Sequence, residues 1–227
     1  TLNNMRYGIQ HRIPITSSFK VLKHINFSPS ANYTERWYFK RIEKSWNEEG
    51  LNVDENTTNG MYAVRDFNTS LRFNTRFFGM YSFKSEKIKA LRHVVSPSIS
   101  LTYRPDFSDE KWGYYDSNQI DTLGNEQIYS YYSQGIFGTA PSGQSGNISF
   151  NLDNNIELKV REKNDSIAEF KKITVFRNLN FRTSYNLAAD SFNLSNFSFN
   201  GRTELIPKMN IKFNGSINPY QLNEQGI

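Results

Sequence analysis

Basic side chains are the residues best placed to do chemistry in this sequence. Arg12, Arg72, Arg76, Arg104, Lys159, Arg161, Arg182, Arg202 and Lys212 recur on the polar register of a period-two pattern, where they outnumber Asp153, Glu157 and Glu204. A guanidinium is a planar fork that fits phosphate oxygens bidentately, so a wall of them can guide an anionic amphiphile. Exposed cations taken singly are more often solvated or paired than functional. Catalytic sets are poor by comparison. His11, His24 and His93 fall near the ends of alternating stretches without metal-ligand spacing, which points to structural roles. Asp106, Asp109 and Glu110 lack the pattern of a calcium loop and read as a solvated loop. There is no nucleophile elbow, no glycine-rich phosphate loop and no cysteine. The expectation is a protein that is not an enzyme and uses no cofactor or metal. Its basic residues are spread along the chain rather than clustered with aromatics, which argues against nucleic acid.

The elements that carry this register are strands. In 91–107, Val95, Pro97, Ile99, Leu101 and Tyr103 alternate with Ser96, Ser98, Ser100, Thr102 and Arg104. That period of two sets an apolar face against a face of small hydroxyls ending in arginine. Such a strand suits a wall between lipid and a wet lumen. Mean hydropathy is −0.66 and 37% of residues are hydrophobic, which is compatible with a barrel because its strands need apolar residues only at alternate positions. No stretch approaches the roughly 20 apolar residues of a membrane helix. The richest apolar run, FFGMYSF at 77–83, is far shorter. An aromatic content of 15% fits β structure with interfacial aromatic belts.

The same alternation predicts about eight antiparallel strands, near 9–22, 25–40, 60–77, 91–107, 147–161, 179–187, 197–205 and 209–217. Long outer loops are expected near 44–59 and 108–146, the second rich in Tyr, Gly, Asp and Ser. Glu35 and Asn154 break the apolar register. Pro14, Pro29 and Pro97 are each expected to remove a ladder hydrogen bond. The fold class is therefore an all-β, antiparallel transmembrane barrel in which 1–227 forms part of one domain, expected to be an arc of a larger barrel.

Certain stretches are more specific than this pattern. Arg92, His93, Pro97, Tyr103, Arg104, Pro105, Asp106 and Phe107, together with HRIPITSSFKVLKHINFSPSANYTERWYFK, TRFFGMYSF and SYNLAADSFNLSNFSFNGRTELIPKMNIKFNGSINPY, resemble the lipopolysaccharide-assembly outer-membrane protein family, LptD or organic solvent tolerance protein, in a divergent cysteine-free form. The resemblance covers most of the chain outside the two loops. It implies a large barrel in the outer membrane of a Gram-negative cell. With an LptE-like plug lipoprotein, such a barrel receives lipopolysaccharide from periplasmic bridge proteins and releases it sideways into the outer leaflet. The candidate lumen contacts for the lipid are Arg72, Arg76, Arg104, Arg182, Arg202 and Lys212. The periplasmic jellyroll, its cysteines and the strands of the lateral gate are not recognisable, and neither end reads as a signal peptide or a closing strand, so an internal segment is expected and no gate residue is assigned. The alternatives are another large outer-membrane channel, a porin or secretion pore, and a secreted carbohydrate-binding β-sandwich. Strands that alternate for ten or more residues argue against the sandwich, whose strands typically run about 5 to 6.

Overall fold

The computed structural model describes residues 5–161, 170–204 and 209–220. Among the described residues it is all β apart from one 3₁₀ turn at Glu110–Trp112. In chain order the strands are β1 (Gly8–Thr16), β2 (Phe19–Val21), β3 (Ile25–Asn47), β4 (Asn52–Asn74), β5 (Phe77–Ser82), β6 (Ile88–Arg104), β7 (Tyr115–Gln119), β8 (Glu126–Ser130), β9 (Ser145–Arg161), β10 (Phe170–Asn186), β11 (Phe197–Thr203) and β12 (Ile211–Ile217). No helix among the described residues is long and apolar enough to cross a membrane.

The main sheet runs β1-β3-β4-β6-β9-β10-β11-β12, with β2 also on β3 and β5 also on β6. Because β1 with β2, and β4 with β5, are single staves with an interruption, the ten strands make the eight staves expected from the sequence. Each stave pairs with the next in the chain, the order that local turns between antiparallel neighbours produce. No pairing joins β1 to β12 among the described residues. The chain divides into two compact units: Thr1–Thr16, Ser30–Thr69 and Tyr103–Ser145 form one, and Ser17–Pro29, Ser70–Thr102 and Gly146–Ile227 the other.

Directly opposed residues share a face, so the pairing tests the two registers. Ile13 opposes Tyr33 and Ile15 opposes Ala31, while Arg12 opposes Thr34. Phe27 stacks on Phe73 with ring centroids 4.5 Å apart, and on the other register Asn26 donates to Asn74 Oδ1 at 3.0 Å. In β11 and β12, Phe199 opposes Gly215 and Phe213 opposes Gly201. Each ring lies flat over the opposite glycine: a Cβ on Gly201 would sit 2.2 Å from Phe213 Cζ.

The interruptions have a single cause. Ser17 donates its amide to Pro29 O at 3.1 Å and Thr75 donates to Pro97 O at 3.2 Å, but neither proline has an N–H to return. Pairing resumes in the same register, Phe19 on Phe27 and Phe77 on Val95, so the ladder skips without slipping. Pro14 differs from expectation. It opposes Asn32 at a position between hydrogen-bonded pairs, so its missing N–H points away from β3 and takes nothing from that ladder.

Three boundaries also differ from the sequence reading. The loop expected over 44–59 is the end of a hairpin, since β3 reaches Asn47 and β4 begins at Asn52. Its polar strands carry no alternation because they are held by polar contacts: Asn47 to Asp54 at 2.9 Å, Lys44 to Glu55 at 2.9 Å and Thr58 to Glu43 at 3.3 Å. The segment 108–146 is not structureless either, for it contains the β7–β8 hairpin. Finally, β10 starts at Phe170 rather than near 179, and register shifts flank Phe176. Ile173, Phe176 and Leu179 oppose Leu158, Ile156 and Asn154, a spacing of three that hides a strand from a period-two reading. Leu205 and the expected turn at Pro207 and Lys208 lie outside the described residues, as does 162–169 of the charged turn.

Candidate functional site

In the unit that contains Ser70–Thr102 and Gly146–Ile227, the polar register forms a trough of adjoining clefts. One of about 440 Å³ is lined by Arg76, Phe78, Arg92, Ser96, Glu157 and Arg177 among others. A second of about 480 Å³ takes in Arg72, Ser98, Ser100, Asn151, Asp153, Asn180 and Arg182. A third of about 670 Å³ shares Arg72, Arg76 and Asp153 with them. Carboxylates in the trough are already engaged. Glu157 meets Arg92 at 3.2 Å and Lys172 at 2.9 Å, and Asp153 accepts from Asn151 Nδ2 at 2.8 Å and Asn180 Nδ2 at 2.7 Å.

The candidate cations fall into two groups. Arg72, Arg76, Arg182 and Lys212 make no ion pair or side-chain hydrogen bond among the described residues. Arg202 directly opposes Lys212 but is turned to Asn210 Oδ1, at 3.0 and 2.8 Å, and to Glu204 at 3.4 Å. Guanidinium groups on one polar face that make no ion pair keep their forks open.

Arg104 belongs elsewhere. In the other unit it donates to Ser142 O at 3.3 Å and Gly143 O at 3.0 Å. Asp106 Oδ1 accepts from Ser108 N at 2.8 Å, Ser108 Oγ at 2.5 Å and Gly143 N at 2.9 Å. These bonds clasp the two ends of the 105–144 segment together. The Ser108 hydroxyl and then the two backbone amides hold the Asp106 carboxyl below the usual carboxylate range, with Arg104 adding to them.

Between those ends the segment folds back onto β3 and β4. Tyr38, Val64, Phe107, Tyr114, Tyr132 and Ala140 form a buried cluster, with Tyr62, Phe67, Trp112 and Tyr131 against it. Tyr38 and Tyr132 stack at 5.0 Å, and Tyr38 Oη donates to Gly138 O at 2.5 Å. Gly135 is needed here because a Cβ would sit 2.5 Å from the Tyr38 ring. The cap also answers backbone groups of the strands: Ile42 N donates to Tyr131 O at 2.9 Å and Arg65 N to Tyr114 Oη at 2.9 Å. Beneath it Arg36 and Asp66 form a buried ion pair, and Arg41 lies 5.2 and 5.1 Å from the Tyr62 and Tyr131 ring centroids. The sequence gives no sign of this pairing, since Arg36 is on β3 and its partner Asp66 is on β4, 30 residues away.

Burial first, and the nearby Asp116 carboxylate second, push the Tyr131 hydroxyl up to about 12, and burial pushes Tyr132 up to about 12. Both phenols are held neutral in the fold but ionise near 10 in an unfolded chain. Their contribution to stability is therefore complete below about pH 10 and is lost as pH rises from there toward 12. Alkaline titration of the full-length protein, followed by tyrosinate absorbance and by proteolysis within 108–143, is expected to show late phenol ionisation coinciding with release of the cap.

The model of the LptD protein family matches residues 1–220. The chain belongs to the LptD family. No curated protein and no solved structure matches it. LptD proteins are outer-membrane β-barrels with a role in lipopolysaccharide transport and assembly rather than in catalysis, and the antiparallel all-β fold agrees with that membership. The residues of the LptD-like pattern do not gather at one point. Arg92 pairs with Glu157. His93 Nε2 lies 3.0 Å from Asn154 Oδ1, which joins the pattern's histidine to the lapse in β9. Asn154 Nδ2 in turn donates to Leu179 O at 3.1 Å beside the irregular part of β10. Pro97 makes the interruption after β4, Tyr103 O accepts from Thr69 Oγ1 at 3.5 Å, and Arg104, Pro105 and Asp106 begin the clasp.

Proposed function

We propose that this chain forms part of the wall of an LptD translocon, in which the polar register contacts the phosphates of lipopolysaccharide on its way to the outer leaflet. The observation that carries the proposal is the set Arg72, Arg76, Arg182 and Lys212, basic side chains on the wet register without acidic partners among the described residues. An unpaired guanidinium over amide and hydroxyl groups offers an anion two parallel donors at little reorganisation. Arg104 is the weaker contact because the clasp occupies it, and Arg202 is partly occupied by Asn210 and Glu204. The whole translocon in this reading includes an LptE-like plug lipoprotein and periplasmic bridge proteins that deliver the lipid.

The test is photocrosslinking in cells with the full-length protein, with the probe at Arg182 or Arg72 and an outward control at Ile99. Energy-dependent lipopolysaccharide adducts at the first two, at least several-fold stronger than at Ile99, are the expected result. Adducts at Ile99 alone would mean ordinary bilayer contact and would favour a general outer-membrane channel.

A further inference from the structure

The cap leaves a cleft open along one side, and no part of the transport reading uses it. The cleft measures about 760 Å³ and lies wholly within the unit made of Thr1–Thr16, Ser30–Thr69 and Tyr103–Ser145. That volume is within the roughly 300–1,000 Å³ of small-ligand sites. Residues just before β1, the second half of β3, the first half of β4 and the 131–136 turn of the cap form its walls.

The lining combines one flat apolar surface with open polar groups. Tyr7 is 56% exposed and stacks on Phe39 with ring centroids 5.4 Å apart, so one face of its ring is backed and the other is free. Tyr132 is 5% exposed, yet its hydroxyl makes no hydrogen bond among the described residues and is not closed off from solvent. A phenol so deeply buried ordinarily has a partner within the fold. The side chains of Thr57 and Asn59, also in the lining, have no hydrogen-bond partner among the described residues either. Charge points the same way, for the lining holds Arg6 and Lys40 and no carboxylate. Lys40 donates to Met5 O at 3.2 Å, whereas Arg6 makes no ion pair or hydrogen bond among the described residues. Glu55, bonded to the lining residue Gln134 at 3.1 Å, is already paired with Lys44 at 2.9 Å.

A hydrocarbon chain gains nothing from free hydroxyls and amides. A sugar ring uses both parts of such a lining, its C–H face on an aromatic ring and its hydroxyls on neutral donors and acceptors. We propose that this cleft binds an acidic saccharide, with a pyranose on Tyr7, sugar hydroxyls on Tyr132, Thr57 and Asn59, and the anionic group on Arg6. The proposal goes beyond the transport reading and does not rest on it, since no lipid chain and no residue of the trough takes part.

The test is saturation-transfer NMR and calorimetry on the full-length protein in nanodiscs. The probes are oligosaccharides of glucuronate, galacturonate and mannuronate, each beside its uncharged counterpart. At least one acidic series is expected to bind about tenfold more tightly than its counterpart, the difference that one charge-assisted hydrogen bond supplies. Arg6→Gln should erase that preference. Tyr7→Ala should weaken both members and remove saturation transfer to the ring C–H protons. Leu123→Ala, on the exposed turn between β7 and β8, is the control without effect. Neither Arg6 nor Tyr7 belongs to the buried cluster of the cap, so unchanged hydrogen exchange at Ile42 is expected in both variants. Deacylated lipopolysaccharide that competes assigns the ligand to that sugar chain; failure to compete assigns it to another surface glycan. No binding by any series, equal binding of acidic and uncharged members, or affinity unchanged by Tyr7→Ala would overturn the site. Lipopolysaccharide adducts at Arg182 would still stand in those cases, which separates this failure from that of the translocon reading.

Discussion

Phe107→Ala is expected to unfasten the 105–144 segment while leaving the main sheet in place. Phe107 is fully buried, with its ring 5.6 Å from Phe67 and 4.9 Å from Trp112, and its amide donates to Pro141 O. Truncating a buried Phe costs about 3–5 kcal/mol, because contacts are lost and the cavity is only partly refilled. That exceeds what the neighbouring clasp bonds can return, since a single net hydrogen bond is worth about 0.5–1.5 kcal/mol. The loss should stay local: the ladders of β9 to β12 contain no residue of the cap. Hydrogen exchange of the full-length protein is the measurement. Amides within 108–143 should lose protection together with those of Ile42 and Arg65, which donate to cap residues, while amides of β11 and β12 keep theirs. Unchanged protection at Ile42 and Arg65 would show that the cap is held by something other than Phe107.

Arginine placed on the apolar register is the second large effect. At Ile99, in the body of β6 and 45% exposed, Ile99→Arg is expected to cost about 2–4 kcal/mol in a bilayer, whereas Ser98→Arg on the adjacent polar position should be nearly neutral. Phe213→Arg against Asn214→Arg repeats the comparison on β12. The pairs are not equivalent. Phe213 also covers Gly201, so part of its cost is lost ring packing, and Ile99 isolates the membrane contribution. Urea titration of the full-length protein in lipid vesicles measures both. Four variants of equal stability would mean that the two registers have been assigned to the wrong environments.

Legibility in the sequence followed physical periodicity. β6 and β9 were readable because apolar and polar residues alternate along them, and their pairing partners keep that alternation. Where an irregularity shifts the register, as beside Phe176, alternation is lost and the first half of β10 disappears from view. The end of the β3–β4 hairpin was missed for a different reason. Its strands are fixed by contacts such as Lys44 with Glu55, and such pairs leave no hydrophobic period. The cap is legible only as composition, because its tyrosines find Tyr38 and Val64 across long stretches of chain. As for the candidate site, the arginine register could be read directly. That Arg104 is spent on Gly143 O and that His93 meets Asn154 could not, since both depend on which residues the fold brings opposite.

The two prolines that interrupt the ladder leave an asymmetric defect. At Ser17 and Thr75 the amide is bonded and the carbonyl faces a ring nitrogen without hydrogen, yet the residues on either side stay in step. Amide exchange would therefore pass over these positions as sound, whereas an isotope-edited infrared carbonyl band would single them out as under-bonded. A sheet built this way cannot slide along its neighbours, because the register is kept on both sides of each defect, and each defect stays confined to the one bond that its proline cannot make.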